Sequence, residues 1–431
     1  MSVAVGLMTV PATVGGAEER AQIALSDAER ALVNGSNDFA FRLMREANTD
    51  ESRILSPLSI VCALGMVNNG AAGQTQAEIN EVLGGSDATP EVINTFCQKM
   101  LSQAADLDPD TKVCMANNIY MNVGYELLAP FVKTAKTYYD ATPEVRNFKD
   151  SKTMDVINQW ASDHTEQMVK EVLDEQTFND DAASYLLNAL YFKGTWTIKF
   201  DRQNTVMERF NFGDEEPMMH MKATFGYDET DSYQAVRLPY GNEAFQMTIF
   251  LPRKDLTVAD VLGLLDDSNW QLKGMPREVD LKLPRIETET SQDLKPVMRA
   301  LGMPTAFDRD LAEFPYFCNL PTYIAEMRQR ARITLNEEGT EAAAVTTIEM
   351  VEKSAPATAT FHTTRPFVYV VSELSTGAIF FIGQYMGGTT AGIPTDEMTV
   401  TDRSTAEPQL YNMAGQRLNA PPARGIFIAK L

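Results

Sequence analysis

The stretch Asn336-Glu337-Glu338-Gly339-Thr340-Glu341-Ala342-Ala343-Ala344-Val345-Thr346-Thr347-Ile348-Glu349-Met350-Val351-Glu352-Lys353-Ser354 separates into two faces when it is read with a period of two. Thr340, Ala342, Ala344, Thr346, Ile348 and Met350 fall on one face, all small or apolar and none charged. Glu341, Ala343, Val345, Thr347, Glu349 and Val351 fall on the other. A strand so divided buries its first face and shows its second to water. The same run also suits an exposed state, because three successive alanines, Glu349, Glu352 and Lys353 are tolerated in open solvent, and propensity alone admits a long helix. Gly339 can take positive φ where the chain has to turn between the two states. No proline from Gly339 to Ala355 bars the run from a sheet ladder. About 14 residues at roughly 3.3 Å each would span on the order of 45 Å, enough to cross a large sheet.

Working outward, the run Tyr185 to Trp196 is apolar on both alternating faces, as expected of a central strand covered on both sides. In Ile54-Leu55-Ser56-Pro57-Leu58-Ser59-Ile60, Ser56 is placed to cap a helix and Pro57 suits its first position, so a buried helix is expected to about Asn69. Helical spacing predicts one helix over Glu18 to Val33 and another over Asp38 to Ala47. Thr75-Gln76-Ala77-Glu78 has the spacing of a capping box, with Gly84-Gly85 as the stop. Strands are expected at Gln234 to Leu238, Gln246 to Leu251, Val279 to Leu283, Phe367 to Val371 and Ala378 to Gly383, the last two joined by a Ser375-Thr376-Gly377 turn. A mainly helical first half followed by a strand-rich second half implies an α+β domain whose distant segments share sheets.

Acidic residues outnumber basic ones by 59 to 37, a formal charge of -22, which disfavours nucleic acid and anionic lipid as partners. No apolar run reaches the length of a membrane span. Cys62, Cys97, Cys114 and Cys318 form no C-x-x-C pair and are expected as buried free thiols. H-E-x-x-H, P-loop, G-x-G-x-x-G and G-x-S-x-G patterns are all missing, and His164, His220 and His362 are read as lying far apart in helix, loop and loop, so no catalytic centre, metal site or cofactor is implied. Met218-Met219-His220-Met221 reads as a packed strand end before it reads as a soft-metal site. Glu215-Glu216 and Glu337-Glu338 would face apart and are poor acid/base pairs. Residues 1–17 read as a leader resembling a secretory signal without its basic start. Residues 18–387 read as the main domain, and 388–431 as a linker with a hairpin-like appendage.

On these residues the chain resembles the serpin family from about Asn37 to Gly383. The hinge Asn336-Glu337-Glu338-Gly339-Thr340-Glu341-Ala342-Ala343-Ala344 is similar to the signature of its inhibitory members, and other landmarks follow in the family's order. Ser56-Pro57-Leu58-Ser59-Ile60 resembles the start of the helix under the family's main sheet. Asn188 to Trp196 resembles that sheet's central strand, with Trp196 at the breach. Leu238-Pro-Tyr-Gly241, Leu301-Gly-Met303 and Arg365-Pro-Phe-Val-Tyr369 also match. One departure is Gln329, where many members carry histidine at the sheet opening; its amide can still donate to Asn188 or a nearby carbonyl.

The resemblance implies a fold with helices on a large central mixed sheet, smaller sheets and an exposed reactive-centre loop at about 337–364. It further implies a metastable monomeric inhibitor with no cofactor. A protease attacks the loop and is trapped as an acyl-enzyme while residues 340–352 insert as a new strand. Glu337 through Lys353 is 17 residues, the family's spacing to the scissile bond, so Lys353-Ser354 is the expected reactive bond and a trypsin-like enzyme the expected target. The flank leaves Val351 or Met350 open, and with them elastase-like, chymotrypsin-like or cysteine proteases. The alternative is a non-inhibitory binding or carrier protein, against which the small Thr340, Ala342 and Ala344 argue. The tail Tyr411 to Leu418 with Gly425 to Ile428 resembles a C-terminal segment of secreted proteins of Bacteroidetes bacteria, so a bacterial protein exported to the periplasm, cell surface or medium is expected.

Overall fold

The computed structural model describes residues 20–85, 88–167, 172–175, 178–211, 213, 215–340 and 358–388, together with three short backbone strands between 409 and 430. Eight helices are described: α1 (Asp27–Glu46), α2 (Pro57–Asn68), α3 (Gly73–Gly84), α4 (Pro90–Gln103), α5 (Ala129–Tyr139), α6 (Lys152–Asp163), α7 (Val258–Leu264) and α8 (Lys295–Ala300). Six lie before residue 170, and most strands follow them.

Two sequence expectations are corrected here. The helices read as Glu18 to Val33 and Asp38 to Ala47 are one helix, α1, capped at Ser26, whose side chain accepts from Glu29 while Glu29 reaches back to the Ser26 amide. Gly35 does not break it; a β-carbon there would meet the Gly84 carbonyl oxygen at 2.4 Å, so the glycine permits close contact with the end of α3. The Thr75–Glu78 capping box does not form. Thr75 instead accepts from the Glu313 amide at 3.0 Å, Glu78 takes the amide and hydroxyl of Thr305, and α3 starts at Gly73 without a side-chain cap.

The strands are β1 (Arg53–Leu55), β2 (Thr111–Asn122), β3 (Glu144–Arg146), β4 (Ser184–Thr195), β5 (Val206–Arg209), β6 (Glu215–Glu229), β7 (Tyr233–Tyr240), β8 (Phe245–Pro252), β9 (Pro276–Pro284), β10 (Ile286–Asp293), β11 (Arg328–Leu335), β12 (Gly339–Thr340), β13 (Ala359–His362), β14 (Phe367–Glu373) and β15 (Ile379–Tyr385). Nine of them form one sheet in the order β1-β15-β14-β8-β7-β6-β9-β13, with β5 beside β6. Strands β8, β14 and β15 are buried at every residue, which matches their continuous apolar sequence and fixes the core.

The remaining strands of this unit form a mixed sheet that is parted. Strands β12, β4, β2 and β3 make one piece; β10 and β11 make the other. Among the described residues nothing hydrogen-bonds β4 to β11. Leu187 and Tyr185 of β4 pack toward α6, in a cluster with Phe148 and with Ile157 of that helix. The opposite face of the sheet meets α2, so the central strand is covered on both sides, as its composition requires.

Residues 389–431 form a second unit. Within it β16 (Gln409–Asn412) pairs antiparallel with β17 (Arg417–Leu418) and with β18 (Phe427–Lys430), which extends the expected hairpin to three strands.

Candidate functional site

The parting between β4 and β11 opens a cleft of about 1810 Å³, solvent at its mouth included. Its walls are Tyr185 to Asn188 and Leu190 of β4 and Arg328 to Ala331 of β11; its floor is α2 from Ser56 to Val67. Each wall is tied to that floor separately. Ser56 caps α2 by accepting from the Ser59 amide at 3.3 Å, as Pro57 at the first helical position favours, and its hydroxyl donates to the Phe380 carbonyl at 2.9 Å. Gln329, buried on β11, clasps the Ser56 peptide from both sides: its Oε1 accepts from the amide at 3.0 Å and its Nε2 donates to the carbonyl at 2.9 Å.

On the other wall Ser59 donates to Asn188 Oδ1. Asn188 Nδ2 donates to Asn117 of β2 at 2.8 Å, and Asn117 donates to the Tyr139 carbonyl at 3.0 Å. Gln329 and Asn188 thus take different partners, and the first turn of α2 joins the two walls. Amides with both ends occupied hold these walls in one geometry, and stranding the partners of the buried Gln329 would cost about 1–3 kcal/mol.

At the upper end of the cleft the chain leaves β11, turns through Asn336 to Glu338 and enters β12. The Asn336 and Gly339 backbones bond each other at 2.9 and 3.2 Å, and the Asn336 side chain accepts from the Glu338 amide. Gly339 then pairs with Thr195, and Thr340 with Gly194, antiparallel. Gly339 has φ +141°, and a β-carbon there would lie 2.1 Å from the Gly194 carbonyl oxygen, so only glycine fits. Thr340 is buried and shares a 2.9 Å hydrogen bond with the Tyr240 hydroxyl. Trp196 closes this end. It stacks on Tyr240 with centroids 4.4 Å apart, and its Nε1 donates to the Asn336 carbonyl at 3.0 Å.

Glu337, at 2% exposure, receives Arg285 through Nε at 3.0 Å and Nη2 at 2.7 Å, and the Thr205 hydroxyl at 2.6 Å. Burial alone would push its carboxyl up; the Arg285 and Thr205 hydrogen bonds outweigh that and hold it below the usual range. Glu338 points elsewhere, to Lys199 at 2.9 Å. The two ends of the expected 337–364 loop are therefore built into sheets, at Glu337–Thr340 and at β13. Glu341, Ala342, Ala343, Ala344, Lys353 and Ser354 lie outside the described residues.

Sequence reasoning did not find Arg285, Thr205 or Tyr240, whose roles arise only when distant strands meet. It also misplaced two histidines. His220 lies in β6 and His362 in β13; β9 runs between those strands, so both rings reach Asp280 of β9, at 2.6 and 3.2 Å. Cys62, Cys97 and Cys318 are buried free thiols, and Cys114 is half-buried. Among the described residues no helix is long and apolar enough to cross a membrane.

A parted sheet over a buried helix, with a two-residue strand started at its upper end, leaves a cleft beside β4 with room for an extended segment. The family model described as Serpin (serine protease inhibitor) matches residues 34–387, and the chain belongs to that family. Neuroserpin of Gallus gallus is 30% identical over 362 residues, covering 80% of this chain and 88% of that protein. The native-state structure of the thermophilic serpin tengpin superposes with a TM-score of 0.76 at 23% identity, covering 85% of this chain and 96% of that one. Thyroxine-binding globulin in complex with thyroxine superposes with a TM-score of 0.73 at 23% identity, over 82% and 98%. The family is one of protease inhibitors, not of catalysts.

Proposed function

We propose that this serpin is an inhibitor that traps its target protease by loop insertion, with Lys353-Ser354 as the bond attacked. The observation that carries the reading is the two-residue pair of β12 with β4 at the head of the open cleft. Continuing its antiparallel register sets Thr346 opposite Asn188 and Met350 opposite Ser184, so the run fills β4 to its start. Thr340 already faces inward; by alternation Ala342, Ala344, Thr346, Ile348 and Met350 follow it, so no charge falls on the face toward α2.

The protease serine adds to the Lys353 carbonyl, the Ser354 amine departs with a proton, and an ester to Lys353 remains. Insertion of 340–352 carries that ester away from its starting place before water hydrolyses it. A lysine suits an acidic specificity pocket, so the target is trypsin-like. The inhibitor works as a monomer, in an exported compartment of a bacterial cell or outside it.

The test is incubation with trypsin followed by denaturing electrophoresis and mass spectrometry. An SDS-stable adduct with its ester at Lys353 is expected, and Lys353→Ala should lower trypsin association at least 100-fold. Ala342→Arg should be cleaved at the same bond without forming the adduct. Cleavage of the wild type without any adduct, across serine and cysteine proteases, would overturn inhibition and favour the carrier reading, in line with a fold shared with thyroxine-binding globulin.

A further inference from the structure

Helix α2 makes a second close contact, with α4 and α5. A β-carbon at Gly65 of α2 would lie 2.5 Å from Ile93 Cγ2 of α4 and 2.9 Å from the Tyr139 hydroxyl of α5, so the missing side chain is what lets these helices approach. Residues three or four apart share a helix face. One turn back along α2 from Gly65 stands Cys62, and one turn on along α4 from Ile93 stands Cys97; they are 1% and 0% exposed. The two thiols lie within hydrogen-bonding reach of each other, and the Tyr139 hydroxyl, which donates to Asn94 Oδ1 at 2.7 Å, reaches Cys97 as well. The other two cysteines are placed differently: Cys114 stands on β2, and Cys318 donates to the Leu320 carbonyl at 3.2 Å.

We propose that Cys62 and Cys97 are a cross-linking site, joined as a disulfide when the chain folds in an oxidising medium, and that this bond locks α2, the floor of the cleft, to α4. The oxidant is a low-molecular-weight disulfide. One cysteine thiolate attacks it and releases half of it as a thiolate; the second cysteine thiolate then displaces the other half from the mixed disulfide. The protein gives up two protons and two electrons, and the reagent leaves as two thiols. Burial, and then the neighbouring Cys62 thiol, push Cys97 well up, so its thiolate is scarce once the protein has folded. Exchange therefore proceeds while the helices are assembling or transiently apart, and the closed pair keeps the state in which it was buried.

The pair stands close to both supports of the β4 wall. Cys62 follows Ser59, the partner of Asn188, by three residues on α2. Tyr139, beside Cys97, supports the same wall from the other side: its carbonyl accepts from Asn117, and Asn117 accepts from Asn188. A bond between the thiols fixes these supports in the geometry of the uncut protein. The functional consequence rests on the inhibitor reading: insertion sets Thr346 beside Asn188, so a wall held in place slows insertion and diverts more of the attacked loop to plain hydrolysis.

The test refolds the full-length protein with oxidised glutathione or with a reducing agent, alkylates the remaining thiols under denaturing conditions and maps the peptides by mass spectrometry without reduction. The oxidised sample should yield the Cys62–Cys97 linked peptide, with Cys114 and Cys318 alkylated. Its melting temperature should lie about 5 °C above that of the reduced sample, as closing the 36 residues from Cys62 through Cys97 into a loop implies. The rise should vanish in Cys62→Ala and Cys97→Ala; where a variant does not fold, the same check is made by reducing the oxidised wild type, which should return to the lower value. Recovery of both thiols alkylated, or of a different pairing, would overturn the site, and a linked protein whose melting temperature is unchanged or lower would overturn the lock. Titration of trypsin with the two forms is the second arm, and the oxidised form should consume several-fold more inhibitor per enzyme trapped. Equal consumption removes the functional consequence and leaves the cross-link; a linked protein that traps no protease in either form leaves the cross-link and fells the inhibitor reading.

Discussion

Gly339 is the residue on which the candidate site turns. Its φ of +141° and the 2.1 Å approach to the Gly194 carbonyl leave no room for a side chain. Gly339→Ala should therefore separate β12 from β4 at a cost of about 1–3 kcal/mol, read as a lower urea midpoint and faster amide exchange at Thr340. Unchanged exchange there would contradict the geometry. Glu337 makes a pH prediction. Its carboxyl is held below the usual range, so its contribution to stability is present above its unfolded pKa of about 4.3 and fades as pH falls through the folded value. Glu337→Gln should lose about 1.5–3 kcal/mol at neutral pH and converge toward the wild type in acid, measured by urea unfolding between about pH 3 and 7. Parallel curves would sink this account. Gly339 was legible because a φ constraint leaves a mark in the residue type. Arg285 was not, because nothing in an isolated arginine announces a carboxylate 52 residues away.

Helix α2 is the element that organises the opening. Its serines at the first turn hold β11 through Gln329 and β4 through Asn188. Replacing Gln329 by Leu would strand the amide and carbonyl of Ser56 in a buried place, at about 1–3 kcal/mol. The expected signs are a lower thermal midpoint and a larger cleft, detected as faster exchange along β11 and stronger binding of an apolar dye. A midpoint equal to the wild type would mean that the Ser56 peptide finds another partner. The helix was readable from Ser56 and Pro57 because capping is local. Where capping competes with tertiary contacts the local rule failed: Thr75 and Glu78 have the right spacing, yet Glu313 and Thr305 claim them. The break expected within α1 failed for a related reason, since Gly35 serves a neighbouring helix and not a turn.

For the whole molecule, the parted sheet is a store of unmade backbone pairs. About ten residues of β4 stand without a described partner on that side, and filling them at roughly 1 kcal/mol net per hydrogen bond is worth on the order of 10 kcal/mol. Cutting the loop at Lys353-Ser354 should then raise the melting temperature by about 10–20 °C, measured by calorimetry before and after limited trypsin treatment. A rise of under about 3 °C would mean that the cut segment stays outside the sheet. The α+β class and the central strand followed from composition and alternation. The parting did not, because Ser184 to Gly194 reads alike whether its neighbour is present or absent.

The β12 pair also bears on how fast such a segment could move. A strand that must find its sheet from solution first closes a loop, and that entropy is the usual nucleation barrier. Here the turn at Asn336 to Glu338 has already closed it, with Thr340 seated opposite Gly194. Growth from this point would be propagation alone, a zipper with a fixed first tooth and a single direction of travel. Its register is fixed at the same place. One extra residue in the turn would shift every later pair by one and exchange the two faces of the run, presenting Glu341 and Glu349 to the core in place of alanine and methionine.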